Sequence, residues 1–146
     1  MRYGTLSTRS IYLGNGSNSY TALFDQTGGD ATVSTTIQLA KTGNTLTTSA
    51  IYNLGGGTLT IENPVNPFVF SADANVTDYF DFNGGTLNLE GTWDFASLTG
   101  LANADFRVDG LPVTAADLAF APIMIDSLAY TQISLSDPGD VPEIAV

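Results

Sequence analysis

Phe24-Asp25-Gln26-Thr27-Gly28-Gly29, Tyr52-Asn53-Leu54-Gly55-Gly56-Gly57 and Phe80-Asp81-Phe82-Asn83-Gly84-Gly85 can be laid over one another. The aromatics stand at 24, 52 and 80 and the final glycine pairs begin at 28, 56 and 84, so both recur every 28 residues. A fixed period of this length marks a chain built from stacked structural units. After each glycine pair comes an apolar–polar–apolar triplet: Ala31-Thr32-Val33, Leu59-Thr60-Ile61 and Leu87-Asn88-Leu89. Alternation of this kind belongs to a strand with one buried face.

Each unit carries two further strand-like runs. One holds Ile37 and Leu39, then Phe68 and Phe70, then Trp93 and Phe95; the other leads into the glycines through Leu46 and Ile51, then Val76 and Phe80. Helical periodicity is missing until Ala115–Leu118, where the pattern allows a short turn of helix at most. Three short strands cannot cover their own apolar face, but stacking equivalent strands about 4.8 Å apart closes a continuous core. The sequence therefore predicts an all-β parallel β-solenoid of about three 28-residue coils, right-handed by the usual preference of β-crossovers. An antiparallel sandwich, which also uses short alternating strands, is the competing fold.

In the solenoid register Gly28, Gly29, Gly56, Gly57, Gly84 and Gly85 mark corners, and Phe24, Tyr52 and Phe80 form an internal stack. Asn53 falls between Asp25 and Asp81, an amide separating two carboxylates. Glu62 and Glu90 become direct neighbours, which requires both to face solvent. Beyond Gly100 the repeat decays, and residues 105–135 read as an irregular C-terminal cap to a solenoid domain spanning 1–135. At the other end, 9–13 reads as a strand and Gly14-Asn15-Gly16-Ser17-Asn18-Ser19 as a polar loop. Residues 136–146, with Pro138 and Pro142, read as a tail.

Composition narrows the chemistry. The net charge is −11, and the four cations (Arg2, Arg9, Lys41 and Arg107) are scattered, so neither nucleic acid nor an anionic membrane surface is an expected partner. There is no cysteine and no histidine, which removes thiolate chemistry and the commonest general base and zinc ligand. No apolar run reaches membrane-spanning length and no secretory leader is visible, so an exported form would be a processed or excised piece.

The remaining candidates are weighed against plainer roles. Asp25 and Asp81, about 9.6 Å apart in this register, lie at the wide edge of an inverting glycosidase pair, and as corner residues they have a structural explanation. Asp30, Asp73, Asp78, Asp105 and Asp109 could offer oxygens to calcium, but no calcium-binding loop motif is present and solvated surface acids suffice. Trp93, Tyr12, Tyr20, Tyr79 and Tyr130 could build a sugar platform, with Trp93 expected in the core instead. Thr32, Thr35, Thr36, Thr45, Thr47 and Thr48 lack the regular spacing of an ice-binding array. No catalytic, metal or cofactor site is expected.

The runs Ile11-Tyr12-Leu13-Gly14-Asn15-Gly16-Ser17-Asn18, Phe24-Asp25-Gln26-Thr27-Gly28-Gly29 and Tyr52-Asn53-Leu54-Gly55-Gly56-Gly57-Thr58-Leu59-Thr60 resemble repeats of bacterial surface proteins. These are the autotransporter-associated β-strand repeats and the related repeats of exported PEP-CTERM proteins. The resemblance covers about residues 10–95 and implies secretion, a parallel β-helix and a stalk, adhesin or surface-layer role. Asp140-Val141-Pro142-Glu143 is similar to the Val-Pro-Glu-Pro sorting signal of the second family. Ile144 stands where its second proline would be, and neither a hydrophobic span nor a basic stretch follows. The expected function is a non-enzymatic, extracellular or cell-surface structural module that associates with itself end to end. A glycan-binding or adhesin module is the alternative, and a polysaccharide-active enzyme the third.

Overall fold

The computed structural model describes residues 1–14, 19–40 and 48–136, with Thr48 as backbone only. The predicted polar loop at 15–18, the stretch holding Lys41, Thr45, Leu46 and Thr47, and the tail with its sorting-signal-like tetrapeptide lie outside the described residues.

The chain is a β-solenoid of about three turns. Its elements are β1 (Thr5–Leu13), β2 (Tyr20–Leu39), β3 (Thr48–Ile61), β4 (Phe68–Phe70), β5 (Val76–Phe82), β6 (Thr86–Glu90), α1 (Phe95–Thr99), β7 (Phe106–Val108), β8 (Leu111–Pro112), β9 (Leu118–Ile125) and β10 (Leu128–Leu135). Three sheet faces wrap the core. On the first, residues 20–26 of β2, 48–54 of β3, β5 and then β7 stack in parallel. On the second, 5–8 of β1, 30–33 of β2, 58–61 of β3 and 86–89 of β6 do the same. The third holds the ends of β1 and β2 and then β4. The long strand β2 turns both corners and contributes to all three faces.

The sequence period and the structural period agree because two departures cancel. Val33 pairs with Ile61, as a strict repeat requires, but Ile37 pairs with Phe68 where strict repetition would offer Val65. Six residues (62–67) separate the paired positions Ile61 and Phe68 where three (34–36) separate Val33 and Ile37, and five residues separate β4 from β5 where eight separate β2 from β3. Tyr20 against Thr48 and Thr48 against Val76 are back in phase. The unbroken 28-residue spacing therefore conceals an insertion and a compensating deletion.

Inward side chains fill the tube. Val33, Ile37, Leu39, Tyr52, Leu54, Leu59, Ile61, Phe80, Phe82, Leu87 and Leu89 are fully buried, each worth roughly 1.5–3 kcal/mol over exposure. In the third coil the expected strand at Trp93-Asp94-Phe95 is replaced by α1, and β4 has no partner beyond β2. Asp94 forms a capping box with Ser97: its carboxylate accepts the Ser97 N–H at 2.7 Å, and Ser97 Oγ accepts the Asp94 N–H at 2.9 Å. These local bonds offer the backbone an alternative to a sheet ladder. Leu98 from α1 and Trp93 then close the core.

Beyond α1 the chain returns to the first face. Phe106 of β7 pairs with Phe80 as a partial fourth rung on the first face. The second face ends in a hairpin: β10 runs antiparallel to β6, and β9 antiparallel to β10. At 115–117 the chain makes a turn and enters β9 at Leu118. At the N-terminal end the strand expected at 9–13 begins already at Thr5. Residues 1–13 form an incomplete coil before the first, with Gly4 (φ +90°) at its corner and its carbonyl accepting the Asp30 N–H at 3.0 Å.

The glycine corners combine two demands. Gly57 has φ +72°, and a Cβ there would overlap the Gly29 carbonyl oxygen of the coil beneath. Gly110 has nearly the same φ, +73°, with open space around it. Left-handed strain alone costs about 1–2 kcal/mol, whereas a backbone overlap forces coils apart. Gly110→Ala should lower unfolding free energy by about 1 kcal/mol and Gly57→Ala by roughly 3 kcal/mol or more. Equal losses in chemical denaturation would show that close approach of the coils is not the constraint.

Candidate functional site

The residues singled out by the repeat form one continuous structure along the first face and its corner. Phe24 stacks on Tyr52 with ring centroids 4.8 Å apart and planes at 19°, and Tyr52 on Phe80 at 5.2 Å and 15°. Beside them the glycine pairs lie one above another, each close to the backbone of the preceding coil.

The stack contains one polar adjustment. Tyr52 is the only ring of the three with a hydroxyl, and it is fully buried, which pushes its phenol well above the usual range. Its hydroxyl donates to Gln26 Oε1 at 2.6 Å, and Gln26 Nε2 donates to the carbonyls of Thr58 (3.0 Å) and Gly29 (3.2 Å). The positions matching Gln26 in later coils are Leu54 and Phe82, and the next ring of the stack, Phe80, carries no hydroxyl.

The amide ladder differs from expectation at its third step. Asn53 Nδ2 donates to Asp25 Oδ1 at 2.7 Å, as the register predicts. The next rung is Asn83, whose Nδ2 donates to Asn53 Oδ1, and not Asp81. Asp81 is buried and accepts the Gly110 N–H at 3.1 Å, fastening the partial fourth coil. Asp25 and Asp81 are thus each occupied by a structural partner. Glu62 and Glu90 follow directly on the pair Ile61–Leu89. Glu62 is exposed and Glu90 half-buried. Burial first, then these two carboxylates and Asp126, raise the pKa of Tyr130.

The acids considered for calcium serve separate tasks. Asp78 accepts the Ser71 N–H at 2.7 Å, and burial pushes its carboxyl up to about 6. Asp105 makes a two-pronged ion pair with Arg107, both bonds 2.9 Å, and Arg107 lies 3.9 Å over the Tyr79 ring. Among the described residues no group of three or more acids is placed to hold a metal ion. Trp93 is buried, with its indole N–H donating to the Glu90 carbonyl at 2.8 Å. Tyr130 is buried and Tyr20 half-buried, so of the aromatics considered for sugar stacking Tyr12, 55% exposed, is the one presenting most of itself to solvent.

The two ends of the tube differ. At the C-terminal end the β10–β9 hairpin extends the second face, leaving the outer edge of β9 without a strand among the described residues, and Leu98 of α1 is buried against the core. At the N-terminal end the outer edge of β1, and that of β2 along 20–26, take no strand among the described residues. There Met1 bonds to the edge, its terminal amine to the Asp25 carbonyl and its carbonyl to the Thr27 N–H. Met1, Leu6, Leu13 and Phe24 pack on the core at this end but stay partly exposed. Charge is divided along the same axis. The first 24 residues contain Arg2 and Arg9 and no acid, and all fifteen acids follow.

The chain matches no protein-family model, no curated protein and no solved structure. No helix among the described residues is long and apolar enough to cross a membrane.

The Tyr52–Gln26 pairing can be checked by a double-mutant cycle. Tyr52→Phe alone should cost about 1–2 kcal/mol by orphaning the Gln26 oxygen, and Gln26→Leu roughly 2–4 kcal/mol. In the Gln26→Leu background Tyr52→Phe should cost nothing further. Strict additivity of the two losses would remove the proposed coupling.

Proposed function

We propose that the chain is a non-catalytic structural segment of an extracellular or cell-surface solenoid, and that copies add end to end. The observation that carries this reading is the uncovered N-terminal edge facing a suitable edge at the opposite end. Two antiparallel steps, β6 to β10 and β10 to β9, return β9 to the direction of the solenoid strands. Residues 5–8 of a second copy can therefore add to β9 in parallel and continue the second face. The charge division favours the same head-to-tail order: Arg2 and Arg9 of one copy approach Asp117 and Asp126 of the next. The same contact repeated without closure gives filaments. Export is supported by the resemblance of the glycine-corner units to surface repeats.

Sedimentation velocity over a concentration series, with electron microscopy of the concentrated sample, tests the reading. Rods of increasing length are expected, weakened as salt rises from about 10 mM to about 500 mM, where screening shortens to a few ångströms. Arg2→Glu combined with Arg9→Glu should abolish association while leaving the thermal midpoint within a few degrees. Monomers at every concentration and salt level would overturn it.

A further inference from the structure

On the flank of the N-terminal coils, where the second face turns into the third, lies a groove of about 580 Å³ lined by Thr8, Arg9, Ser10, Tyr12, Thr35 and Thr36. Its volume falls within the range of roughly 300–1,000 Å³ typical of small-molecule sites. It sits at the register shift between β1 and β2, where Arg9 faces the extra residue of β2 between the pairs Thr8–Val33 and Ser10–Thr36. Such irregularities re-aim side chains.

The next coil braces the groove. Its longer corner, 62–67, holds Thr35 and Thr36 from above: Asn63 Nδ2 donates to the Thr35 carbonyl at 2.7 Å, and Thr36 Oγ1 to the Pro67 carbonyl at 3.3 Å. Hydroxyls tie the floor together. Ser10 Oγ and Thr35 Oγ1 are 2.5 Å apart, Thr35 Oγ1 donates to the Arg9 carbonyl at 2.7 Å, and Thr8 Oγ1 donates to the Ser10 carbonyl at 3.2 Å. The floor is therefore set before anything binds, which lowers the ordering cost of binding.

Two side chains in this groove have no structural duty. Arg9 is exposed and, unlike Arg107, makes no ion pair among the described residues. Tyr12 offers an exposed ring, whereas its neighbour in the next coil is Gln38 and the one after that Val69. A guanidinium fork matches a carboxylate. An exposed aromatic face with fixed hydroxyls nearby suits a sugar ring, whose apolar face stacks while its hydroxyls bond. The first 24 residues, which supply Arg9 and Tyr12, hold no acid; the bracing corner carries one, the exposed Glu62, whose N–H donates to the Val33 carbonyl at 2.9 Å.

We propose that this groove binds a carboxylated saccharide, a uronic-acid unit of an acidic polysaccharide, with its carboxylate on Arg9 and its ring on Tyr12. Thr8 and Arg9 belong to β1, whose outer edge is the one proposed to take a second copy, so the groove is open on the monomer and at the uncovered end of a rod.

Backbone amide NMR at a dilution where the chain is monomeric tests this with three probes: galacturonic acid oligomers, neutral glucose oligomers and a sulfated oligosaccharide. The uronic oligomer should shift the amides of residues 8–12 and 35–36, and the neutral one should bind about tenfold more weakly or less. Arg9→Gln should erase the preference for the acidic sugar, and Tyr12→Ala should weaken both, with the remaining spectrum unchanged in each variant. Shifts located elsewhere, unchanged preference in Arg9→Gln, or equal binding of the sulfated probe would each overturn the assignment.

Discussion

The close approach of one coil's backbone to the next, at corners where no Cβ fits, is the constraint on which the rest of this structure depends. Parallel strands must lie about 4.8 Å apart to share hydrogen bonds, and at the corner the chain reverses direction while keeping that spacing. Gly57 shows what this requires: a left-handed backbone angle together with the Gly29 carbonyl in the space a side chain would fill. Once the corners are fixed in this way, residues 28 apart are held one above another. The aromatic stack, the alternating aliphatic core and the amide ladder from Asp25 to Asn53 follow from that registration.

Registration also explains where the repeat is free to vary. The other two corners carry loops of different length in successive coils, and a gain at 62–67 is balanced by a loss at 71–75, so the glycine corner stays in phase. Side chains within the stack vary only with compensation. Tyr52 is accommodated because Gln26 supplies an acceptor inside the tube and spends its amide hydrogens on two neighbouring carbonyls. Without the Gln26 acceptor the buried Tyr52 hydroxyl would be unsatisfied, at about 1–3 kcal/mol.

Most of the fold was legible because glycine pairs and alternating apolar residues report backbone geometry directly. The register of Phe24, Tyr52 and Phe80 could be read from spacing alone. Three things could not. The incomplete first coil has a single corner glycine, Gly4, at a shorter interval, so no periodic signal reveals it. The helix at Phe95–Thr99 depends on Asp94 and Ser97 capping each other, a local interaction that outweighs the strand-like pattern of Trp93 and Phe95. Asp81 leaves the ladder for Gly110 because a fourth, partial coil lies above it. The flank groove was invisible for a related reason: Arg9 and Tyr12 meet Thr35 and Thr36 only through pairing of β1 with β2, across a register shift the sequence does not display.

The ends of the tube underlie the proposed end-to-end association: among the described residues the edge of β1 takes no strand at one end, and β9 runs in the solenoid direction at the other. All of this presumes that the coils lie in parallel register. Ring-to-ring nuclear Overhauser effects in a sample with labelled aromatics measure that most directly. The account predicts cross-peaks between Phe24 and Tyr52 and between Tyr52 and Phe80, with none between Phe24 and Phe80. Missing peaks for either neighbouring pair, or a direct Phe24–Phe80 contact, would contradict it.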